Sequence, residues 1–251
     1  MENAKPVSTP LSHHFRLSKE QSSKIERERS DMDCVPYANA VGSLMYSMVC
    51  TRPDIGYAMS MVSRFFTDPR QKHWFALKWT LRYIKGTLNM GIMFGKESFA
   101  KEIVNGCVDS DYTSCIDTRR SLTGYVFTVF GGCVSWKSTL QKVVALSSTE
   151  EEYMAATEAM KEALWLKGFT SELGLNYDDI TVHCDNQSAL HLMKNPMHHE
   201  RSKHIDIRLH FIRDIVTSNQ VHVKKINTDH NPADMLTNLV LAQQGATSML
   251  L

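Results

Sequence analysis

The amino-acid sequence predicts an α/β protein in which a small helical segment precedes a mixed five-stranded sheet with flanking helices. Two observations support this prediction. Apolar residues recur at helical spacing from residue 36 to about residue 95, and strand patterns then alternate with helical ones along the rest of the chain. The 251 residues, of which 43% are hydrophobic and 22% charged, have the composition of a globular protein with one or two domains.

The first part of the chain divides into an arm and a helical segment. Residues 1–35 are polar, charged and weakly periodic, which predicts a flexible N-terminal arm. In residues 36–98, YANAVGSLMYSMV has the apolar spacing of a buried helix, and RPDIGYAMSMVSRFF opens with Pro53 and Asp54, which favour a first helical turn. HWFALKWTLRYIKGTL predicts an amphipathic helix that ends at Gly86, a residue typical of C-caps.

Residues 99–242 predict the sheet with its helices, and residues 243–251 form a short tail. EIVNGCVDSD has a strand pattern, TGYVFTVFGGCVSWKS predicts a hairpin that turns at Gly131 and Gly132, and QKVVALSS predicts a short further strand. SSTEEEYMAATEAMKEALWLKGFTSEL predicts a long helix with Ser/Thr-x-x-Glu capping boxes. The later strands are ITVHCD and QVHVKKI, and the later helices are DNQSALHLMKN, IDIRLHFIRDIVTS and NPADMLTNLVLAQQ.

The net charge of +1 hides an asymmetry between the two parts of the chain. Residues 1–100 contain 14 basic and 9 acidic residues, whereas residues 101–251 contain 14 basic and 18 acidic residues. A basic half joined to an acidic half fits a protein that binds a polyanion with one part and metal ions with the other. Chance variation between two solvated surfaces explains the charges equally well.

The cysteine pattern and the lack of long apolar runs predict an intracellular protein. The six cysteines lie at irregular spacings without a C-x-x-C pair, which favours reduced thiols over a disulfide scaffold or a zinc knuckle. No run approaches 18 apolar residues, and MENAKPVSTPL lacks the basic and apolar regions of a signal peptide. We therefore expect a cytoplasmic or nuclear protein that is not secreted and does not bind a membrane.

Acidic residues stand where the predicted strands and helices of the second part begin or end. Asp109 continues one face of the first strand and lies at its end, Asp185 ends the strand ITVHCD, and Asp234 opens the last helix. Two neighbouring strands that end in aspartate bring two carboxylates to the same edge of a sheet. The second of these strands is followed at once by a predicted helix, so its aspartate lies at a turn.

Glu152 lies in the first turn of the long helix, on a face of small residues. Four alanines fall within about 60° of it around the helix axis: Ala155, Ala156, Ala159 and Ala163. Small residues let a helix approach a sheet closely, so we expect Glu152 to point toward the sheet. On the same helical wheel, Glu151, Glu158 and Glu162 fall on another side, and we expect them to be exposed to solvent.

Four unpaired carboxylates close together repel one another and raise one another's pKa values. Divalent cations remove that cost, and hard oxygen ligands suit Mg²⁺ or Mn²⁺. Two such ions can hold the attacking water and the leaving oxygen of a phosphodiester in line, so the four acids predict phosphodiester hydrolysis. For each acid taken alone, a structural role at an N-cap or a strand end is the alternative.

Long, collinear motifs extend over roughly residues 36–240 and include GCVDSDYTSC, SLTGYVF, GGCVSWKS, QKVVALSSTEEEYMAATEA, CDNQSALHLMKNP, RSKHIDIRLHFIRD and HNPADMLT. They resemble the ribonuclease H domain of Ty1/copia retrotransposon Pol polyproteins, particularly those of plants. The preceding runs PYANAVGSLMYSMVCTRPDIGYAMSMVSRF and HWFALKWTLRYIKGT resemble the helical tail, or thumb and connection, of the adjoining reverse transcriptase. The resemblance implies a ribonuclease H-like fold for residues 99–242.

The family cleaves the RNA strand of RNA–DNA hybrids with two Mg²⁺ ions held by an Asp-Glu-Asp-Asp set. By resemblance, the catalytic and metal-binding residues here are Asp109, Glu152, Asp185 and Asp234. The glutamate comes second in the chain, whereas it comes last in related integrases and transposases, and this order favours ribonuclease H. Asp111 and Glu151 are the alternatives if the register differs by one or two residues.

The resemblance also implies a surface that binds the hybrid. Gln187 would contact the RNA 2′-hydroxyl, and an ordinary polar residue of a first helical turn is the alternative. Basic residues after the second aspartate would bind the hybrid backbone, namely Arg201, Lys203, His204 and Arg208. A basic stripe of the third helical pattern would add Lys78, Arg82 and Lys85. A solvated face is the alternative for each basic residue.

Several features depart from the family pattern. The chain has no Tyr-x-Asp-Asp signature and lacks the fingers and palm of a reverse transcriptase, so we expect no DNA synthesis. Those missing domains would be its partners if it belongs to a Pol assembly in a virus-like particle. Lys224 stands where cellular ribonucleases H have a mobile histidine, and Asn238 where copia relatives usually have lysine. A catalytically inert fragment that binds nucleic acid or a protein partner is therefore the alternative function.

Overall fold

The computed structural model describes residues 3–21, 32–94, 104–175, 180–194 and 206–239. Its helices are α1 (Tyr37–Cys50), α2 (Gly56–Val62), α3 (Gln71–Gly86), α4 (Ser148–Glu172), α5 (Gln187–Lys194) and α6 (Asp206–Thr217). Its strands are β1 (Val104–Asp111), β2 (Leu122–Val129), β3 (Gly132–Leu140), β4 (Ile180–Cys184) and β5 (His222–Lys225). Below, the helical unit means the described residues from 3 to 94, and the sheet unit means those from 104 to 239. None of the described helices is both long and apolar enough to cross a bilayer.

The five strands form one mixed sheet with the order β3-β2-β1-β4-β5. β2 pairs antiparallel with both β1 and β3, whereas β4 pairs parallel with both β1 and β5. Helices therefore connect the parallel strands, because a parallel neighbour requires a crossover. This arrangement confirms the predicted ribonuclease H-like fold class, a mixed five-stranded sheet with flanking helices.

The core of the sheet unit lies between the sheet and α4. Ala155, Ala156, Ala159 and Ala163 are fully buried there, as their common helical face predicts. The start of α4 is capped twice, since the Ser147 hydroxyl accepts the Glu150 N–H and the Glu150 carboxylate accepts the Leu146 N–H. These caps fix the first turn of α4 at one edge of the sheet.

Three local predictions differ from the structure. The hairpin turns at Phe130 and Gly131, which both have positive φ, and Gly132 already belongs to β3. QKVVALSS forms no strand, because Gln141 ends the pairing of β3 with a backbone bond to Ser121 and the segment then leads to the α4 cap. NPADMLTNLVLAQQ begins with a 3-10 turn, Pro232–Leu236, and its residues from 240 onward lie outside the described residues.

The N-terminal segment packs against α3. Leu11 and Leu17 are buried in the helical core, the Trp79 indole donates to the Thr9 carbonyl at 3.0 Å, and the Thr80 hydroxyl donates to the Pro10 carbonyl at 2.9 Å. The prediction of a flexible arm is therefore wrong for residues 3–21, because two leucines without helical spacing still find apolar partners on α3. The rest of the predicted arm lies largely outside the described residues.

The helical unit contacts the sheet unit around the Pro232–Leu236 turn. The Trp136 indole of β3 donates to the Met48 carbonyl at 3.0 Å, and the Ser138 hydroxyl donates to the Leu236 carbonyl at 2.6 Å. Gly56 lies so close to Leu236 that a Cβ atom on Gly56 would be 2.8 Å from Leu236 Cδ2. The turn is thus held between β3 on one side and α2 on the other.

Candidate carboxylate active site

Two aspartates meet at one edge of the sheet because β1 and β4 are parallel neighbours. Val108 pairs with Cys184, so the next residues, Asp109 and Asp185, continue the two strands side by side. Asp109 lies within β1 and not at its end, since the strand continues to Asp111. The predicted meeting of these two carboxylates is therefore explained by the strand register.

Glu152 and Asp234 reach the same edge from two other elements. Glu152 lies in the first turn of α4, where only 6% of the residue is exposed, and its Oε2 is 3.9 Å from the Cys184 sulfur. One side-chain ligand atom each of Glu152, Cys184 and Asp185 lies within 4.8 Å of the other two. The charge of Asp234, on the 3-10 turn, acts on Asp109. Glu152 and Asp185 thus lie close together, and the charges of Asp109 and Asp234 are coupled to this pair. The four predicted acids are called the carboxylate cluster below.

Side-chain amides and a hydroxyl attach the Asp234 turn to β1. The Asn231 amide donates to the Val108 carbonyl at 3.0 Å, and its oxygen accepts the Ala233 N–H at 3.1 Å. The Thr237 hydroxyl donates to Asp109 Oδ2, and the Asn238 amide donates to Asp234 Oδ1 at 2.6 Å. Asn238 therefore gives Asp234 a neutral hydrogen-bond donor.

Burial and mutual repulsion raise the pKa values of two carboxyl groups in the cluster. Burial raises the pKa of Asp109 to about 7, with the charges of Asp185 and Asp234 adding to it and the Thr237 hydrogen bond opposing it. Burial raises the pKa of Glu152 to about 9, and Asp109 and Asp185 add to it. The cluster therefore holds protons at neutral pH that a cation would displace.

The donor set fits hard divalent cations. Four carboxylates supply oxygen ligands, which Mg²⁺ and Mn²⁺ prefer. Cys184 does not change this preference, because burial raises the pKa of its thiol and keeps it protonated. The partly exposed Asp185 and Asp234 leave one side of the cluster open. A cation at this edge would be accessible to a substrate phosphate from that side.

Glu151, which the helical wheel predicts to be exposed, is buried. Only 3% of it is accessible, its Oε2 lies 3.4 Å from the Ser110 hydroxyl, and burial raises its pKa to about 7. The Gln141 amide donates to its backbone carbonyl at 2.9 Å. The prediction fails because Ser110, Ser121 and Gln141 cover a second side of α4.

The two other glutamates of that side are also partly covered. Glu162 accepts hydrogen bonds from the Tyr125 hydroxyl at 3.2 Å and the Ser135 hydroxyl at 2.7 Å. Glu158 pairs with Lys161 at 2.7 Å and lies 3.8 Å from Lys137. The expectation of solvent exposure is therefore wrong for Glu162, and Glu158 is half-buried.

The register alternatives lie beside the carboxylate cluster. Burial raises the pKa of Asp111, Asp234 adds to it, and Arg64 of the helical unit opposes it. The charge of Asp111 in turn raises the pKa of Glu151. Glu152, by contrast, is coupled to Asp109 and Asp185. Glu151 also adds to the pKa of Glu152, so the two sets of acids are coupled to each other and the register stays a prediction.

The predicted nucleic-acid residues of the sheet unit are only partly described. Gln187 is the exposed first residue of α5, two positions after Asp185, and the Asn186 side chain caps that helix by accepting the Ala189 N–H at 3.0 Å. Arg208 contacts the Met154 sulfur at 3.3 Å and lines a small pocket of about 120 Å³ with Lys137 and Lys142. Arg201, Lys203 and His204 lie outside the described residues.

The predicted basic stripe lies on α3, in the helical unit. Arg82 donates to the Lys5 carbonyl at 2.7 Å and Lys85 to the Ala4 carbonyl at 3.1 Å, so the N-terminal segment covers part of the stripe. Lys78 lies over the Phe75 ring, 4.4 Å from its centroid. Carbonyl acceptors leave the positive charges of Arg82 and Lys85 in place.

Sequence reasoning missed the residues that support the cluster. Thr237 and Asn238 are polar residues in an apolar run, and their partners depend on how the Asp234 turn docks. The capping role of Asn231 could have been predicted, since asparagine before proline is a common N-cap arrangement. Gln141 and Arg64 had none, because their contacts come from distant parts of the chain.

No model of a known protein family matches the chain. Curated proteins do match. The chain is 53% identical over 240 residues to the retrovirus-related Pol polyprotein from transposon TNT 1-94 of Nicotiana tabacum, covering 96% of this chain and 18% of that protein. It is 37% identical over 238 residues to the polyprotein from transposon RE1 of Arabidopsis thaliana, covering 94% of this chain and 16% of that protein.

A shorter protein also matches. The secreted RxLR effector protein 161 of Plasmopara viticola is 50% identical over 135 residues, which cover 54% of this chain and 94% of that protein.

Solved structures of ribonucleases H1 are similar at low identity. That of Halobacterium salinarum NRC-1 is 17% identical with a TM-score of 0.37, and that of LC11 ribonuclease H1 in complex with an RNA/DNA hybrid is 16% identical with a TM-score of 0.41. Each comparison covers 54% of this chain and 94% of the solved chain.

The chain thus spans less than a fifth of each of the two Pol polyproteins, and its sheet unit has the ribonuclease H-like topology described above. The long alignments at high identity cover both the helical unit and the sheet unit. Over nearly its whole length, the chain therefore matches a segment of retrovirus-related Pol polyproteins of plant transposons, as the predicted resemblance to a Ty1/copia Pol fragment implies.

Proposed function

We propose that the sheet unit is a metal-dependent endonuclease that hydrolyses the RNA strand of RNA–DNA hybrids. The observation that supports this proposal most is the carboxylate cluster, in which Asp109, Glu152, Asp185 and Asp234 come together from four separate elements. The raised pKa values of Asp109 and Glu152, caused first by burial and then by the neighbouring acids, support a site that a cation would stabilise. Carboxyl groups whose pKa values are raised by burial and by neighbouring charges are typical of functional sites.

The cluster residues would act as ligands of two Mg²⁺ ions, for which Mn²⁺ could substitute. Bound there, divalent cations supply Lewis acidity that activates water and stabilises the leaving oxygen of a phosphodiester. Thr237 and Asn238 would orient Asp109 and Asp234 by hydrogen bonds to their oxygens. The protein contributes fixed carboxylate positions, because each acid is held by a strand, a capped helix or a docked turn.

Residues around the cluster would bind the substrate. We propose that Gln187 contacts the RNA 2′-hydroxyl, since it lies at the exposed start of α5 next to Asp185. Arg208, Lys137 and Lys142 line one pocket together with Glu158, and its excess of basic side chains would receive a backbone phosphate. Arg201, Lys203 and His204 remain proposed backbone contacts from the sequence, and the α3 stripe of Lys78, Arg82 and Lys85 would provide further positive charge.

The domain assignment is part of the same proposal. Residues 36–98 would be the helical tail of a reverse transcriptase, and residues 99–242 its ribonuclease H domain. The missing fingers and palm would then be partners in a Pol assembly, in cytoplasmic virus-like particles or in the nucleus.

A catalytically inert protein that binds nucleic acid or a protein partner is the second candidate. Asn238 favours it, because lysine is usual at this position in the family and Asn238 instead donates to Asp234. This candidate predicts binding of duplexes that weakens with salt, without cleavage in Mg²⁺ or Mn²⁺.

The test is cleavage of an end-labelled RNA–DNA hybrid by the full chain in Mg²⁺ or Mn²⁺. We expect internal cuts in the RNA strand, none in a DNA duplex, and none with EDTA. Asp185→Asn removes one proposed ligand with little change of shape and should abolish cutting. Uncut hybrid in both metals, with hybrid binding demonstrated in the same samples, would overturn the enzyme and favour the inert binder.

A further inference from the structure

A cavity of about 650 Å³ lies in the helical unit, between the N-terminal segment and α3. Its walls come from residues 4 and 14–17 on one side and from residues 72–82 on the other, and all of them are described. No residue of the carboxylate cluster lines it. Its size falls within the range of sites for small ligands, about 300–1,000 Å³.

The charge of the cavity is positive. Arg16, Lys72, Lys78 and Arg82 line it, whereas neither aspartate nor glutamate occurs among its lining residues. Four cationic side chains at one concave site without a lining acid favour an anionic ligand.

Aromatic rings form much of the remaining wall. The Phe15 and Trp79 ring centroids are 5.9 Å apart in an edge-to-face arrangement, and the Trp79 indole is fixed by its bond to the Thr9 carbonyl. Phe75, also in the wall, is 45% exposed. The ligand would therefore combine negative charge with a flat apolar surface.

Cations and rings are adjacent in this cavity. Lys78 Nζ lies 4.4 Å from the Phe75 ring centroid, and the Arg82 guanidinium carbon lies 5.0 Å from the Trp79 centroid. Each cation thus lies over one face of its ring. A base stacked on the opposite face of either ring would keep its phosphate within reach of these cations, and single strands are bound without sequence preference by such stacking and charge.

We propose that this cavity binds one nucleotide unit of single-stranded nucleic acid, with the base against Phe75 or Trp79 and the phosphate near Lys78 and Arg82. A duplex offers no free base to these rings, because its bases are stacked on each other. The inference rests on the proposed nucleic-acid function of the chain, but it concerns a second site and does not require cleavage.

The experiment measures fluorescence anisotropy of labelled oligo(dT) and oligo(U) with the full chain in EDTA, where no metal-dependent cleavage occurs. Phe75→Ala should weaken binding about fivefold or more by removing the stacking surface. Trp165→Ala is the matched control, since Trp165 is an exposed aromatic residue of α4 outside the cavity, and it should leave binding unchanged. The oligonucleotide that binds with the higher affinity shows whether the cavity prefers DNA or RNA.

The charge contribution is tested with Lys78→Gln and with inorganic polyphosphate, which has no bases. Lys78→Gln should weaken binding and reduce the slope of log affinity against log salt by about 1. Phe75→Ala should leave polyphosphate binding unchanged. Equal loss for Phe75→Ala and Trp165→Ala, or no oligonucleotide binding by the unmodified chain, would overturn the proposal.

The Asp185→Asn variant and the unmodified chain together separate this proposal from the nuclease proposal. Asp185→Asn should lose hybrid cleavage and keep oligonucleotide binding. Loss of cleavage with retained binding therefore concerns the carboxylate cluster alone, whereas retained cleavage with no single-strand binding by the unmodified chain overturns the cavity proposal alone.

Discussion

The two units of the chain bury opposite kinds of titratable group. The sheet unit buries Asp109, Glu151 and Glu152, and burial raises the pKa of each. The helical unit buries His73, stacked on the Phe65 ring at 3.7 Å, and burial lowers its pKa to about 4. Burial thus favours the neutral form of the histidine, which is its ordinary form at neutral pH. The buried carboxylates are favoured only when they are protonated or bound to a cation.

This difference separates a structural site from the proposed functional one. His73 Nδ1 accepts the Arg70 N–H at 3.0 Å and so acts in the N-terminal cap of α3. The acids of the carboxylate cluster repel one another and have an open side. Buried charge that a ligand can relieve is the stronger sign of function.

The largest expected effect compares two neighbouring buried acids in α4. Glu152→Gln should reduce cleavage of the hybrid by more than about 100-fold, because even residues that only support metal ligands are worth about 10–100-fold. Glu151→Gln, which keeps the contact with Ser110, should reduce it by less than about tenfold. Rates from single-turnover cleavage in Mg²⁺ check this, and the reverse order would transfer the ligand role to Glu151.

A smaller effect on cleavage is expected when an added side-chain atom in the sheet unit or in the helical unit displaces the Asp234 turn. A Cβ atom at Gly124 of β2 would be 3.0 Å from the Ala233 carbonyl oxygen and 2.8 Å from Thr237 Cγ2, so Gly124→Ala should displace the turn and reduce cleavage about 10–100-fold. Gly56→Ala presses from α2 on the flexible end of Leu236 and should cost less.

The control for these glycine variants is Gly42→Ala, since no atom would lie within 4 Å of the added Cβ atom. Single-turnover rates measured beside thermal unfolding separate displacement of the turn from global unfolding. If Gly56→Ala cleaves like Gly42→Ala, the helical unit does not constrain the Asp234 turn.

A further comparison concerns pH, whose effects on stability have opposite signs in the two units. Asp109 and Glu152 hold protons more tightly in the folded state, so in EDTA their contribution to stability is lost as pH rises from about 4.5 to about 9. His73 holds its proton less tightly when folded, so its contribution, about 3 kcal/mol, is lost as pH falls from 6.5 to about 4.

Denaturant unfolding between pH 4 and pH 9 measures the loss of stability at high pH (the alkaline limb) and at low pH (the acid limb). Glu152→Gln should flatten the alkaline limb, His73→Asn should flatten the acid limb, and added Mg²⁺ should restore stability at high pH only for the chain with an intact cluster. An alkaline limb that Glu152→Gln leaves unchanged would mean that the cluster is not the source of this pH dependence.

Parts of the site could be predicted because they depend on local periodicity. The positions of Asp109 and Asp185 follow from strand patterns, and that of Glu152 follows from the alanine face of α4. The burial of Glu151 could not be predicted, since a helical wheel assumes one packed side and the loop containing Gln141 covers another.

The fold outside the site shows the same limit. The sheet was predictable from alternating patterns, whereas the packing of residues 3–21 depends on a groove that exists only once α3 has formed. The hydrogen bonds of Thr237 and Asn238 likewise require the docked Asp234 turn.

The most direct test of the central claim is the number of Mn²⁺ ions that the full chain binds, measured from the electron paramagnetic resonance signal of free Mn²⁺. We expect two bound ions, at least one fewer with Asp185→Asn, and no change with Glu158→Gln, a half-buried acid of α4 outside the cluster. Equal Mn²⁺ binding by the unmodified chain and Asp185→Asn would contradict a paired-metal site at this edge of the sheet.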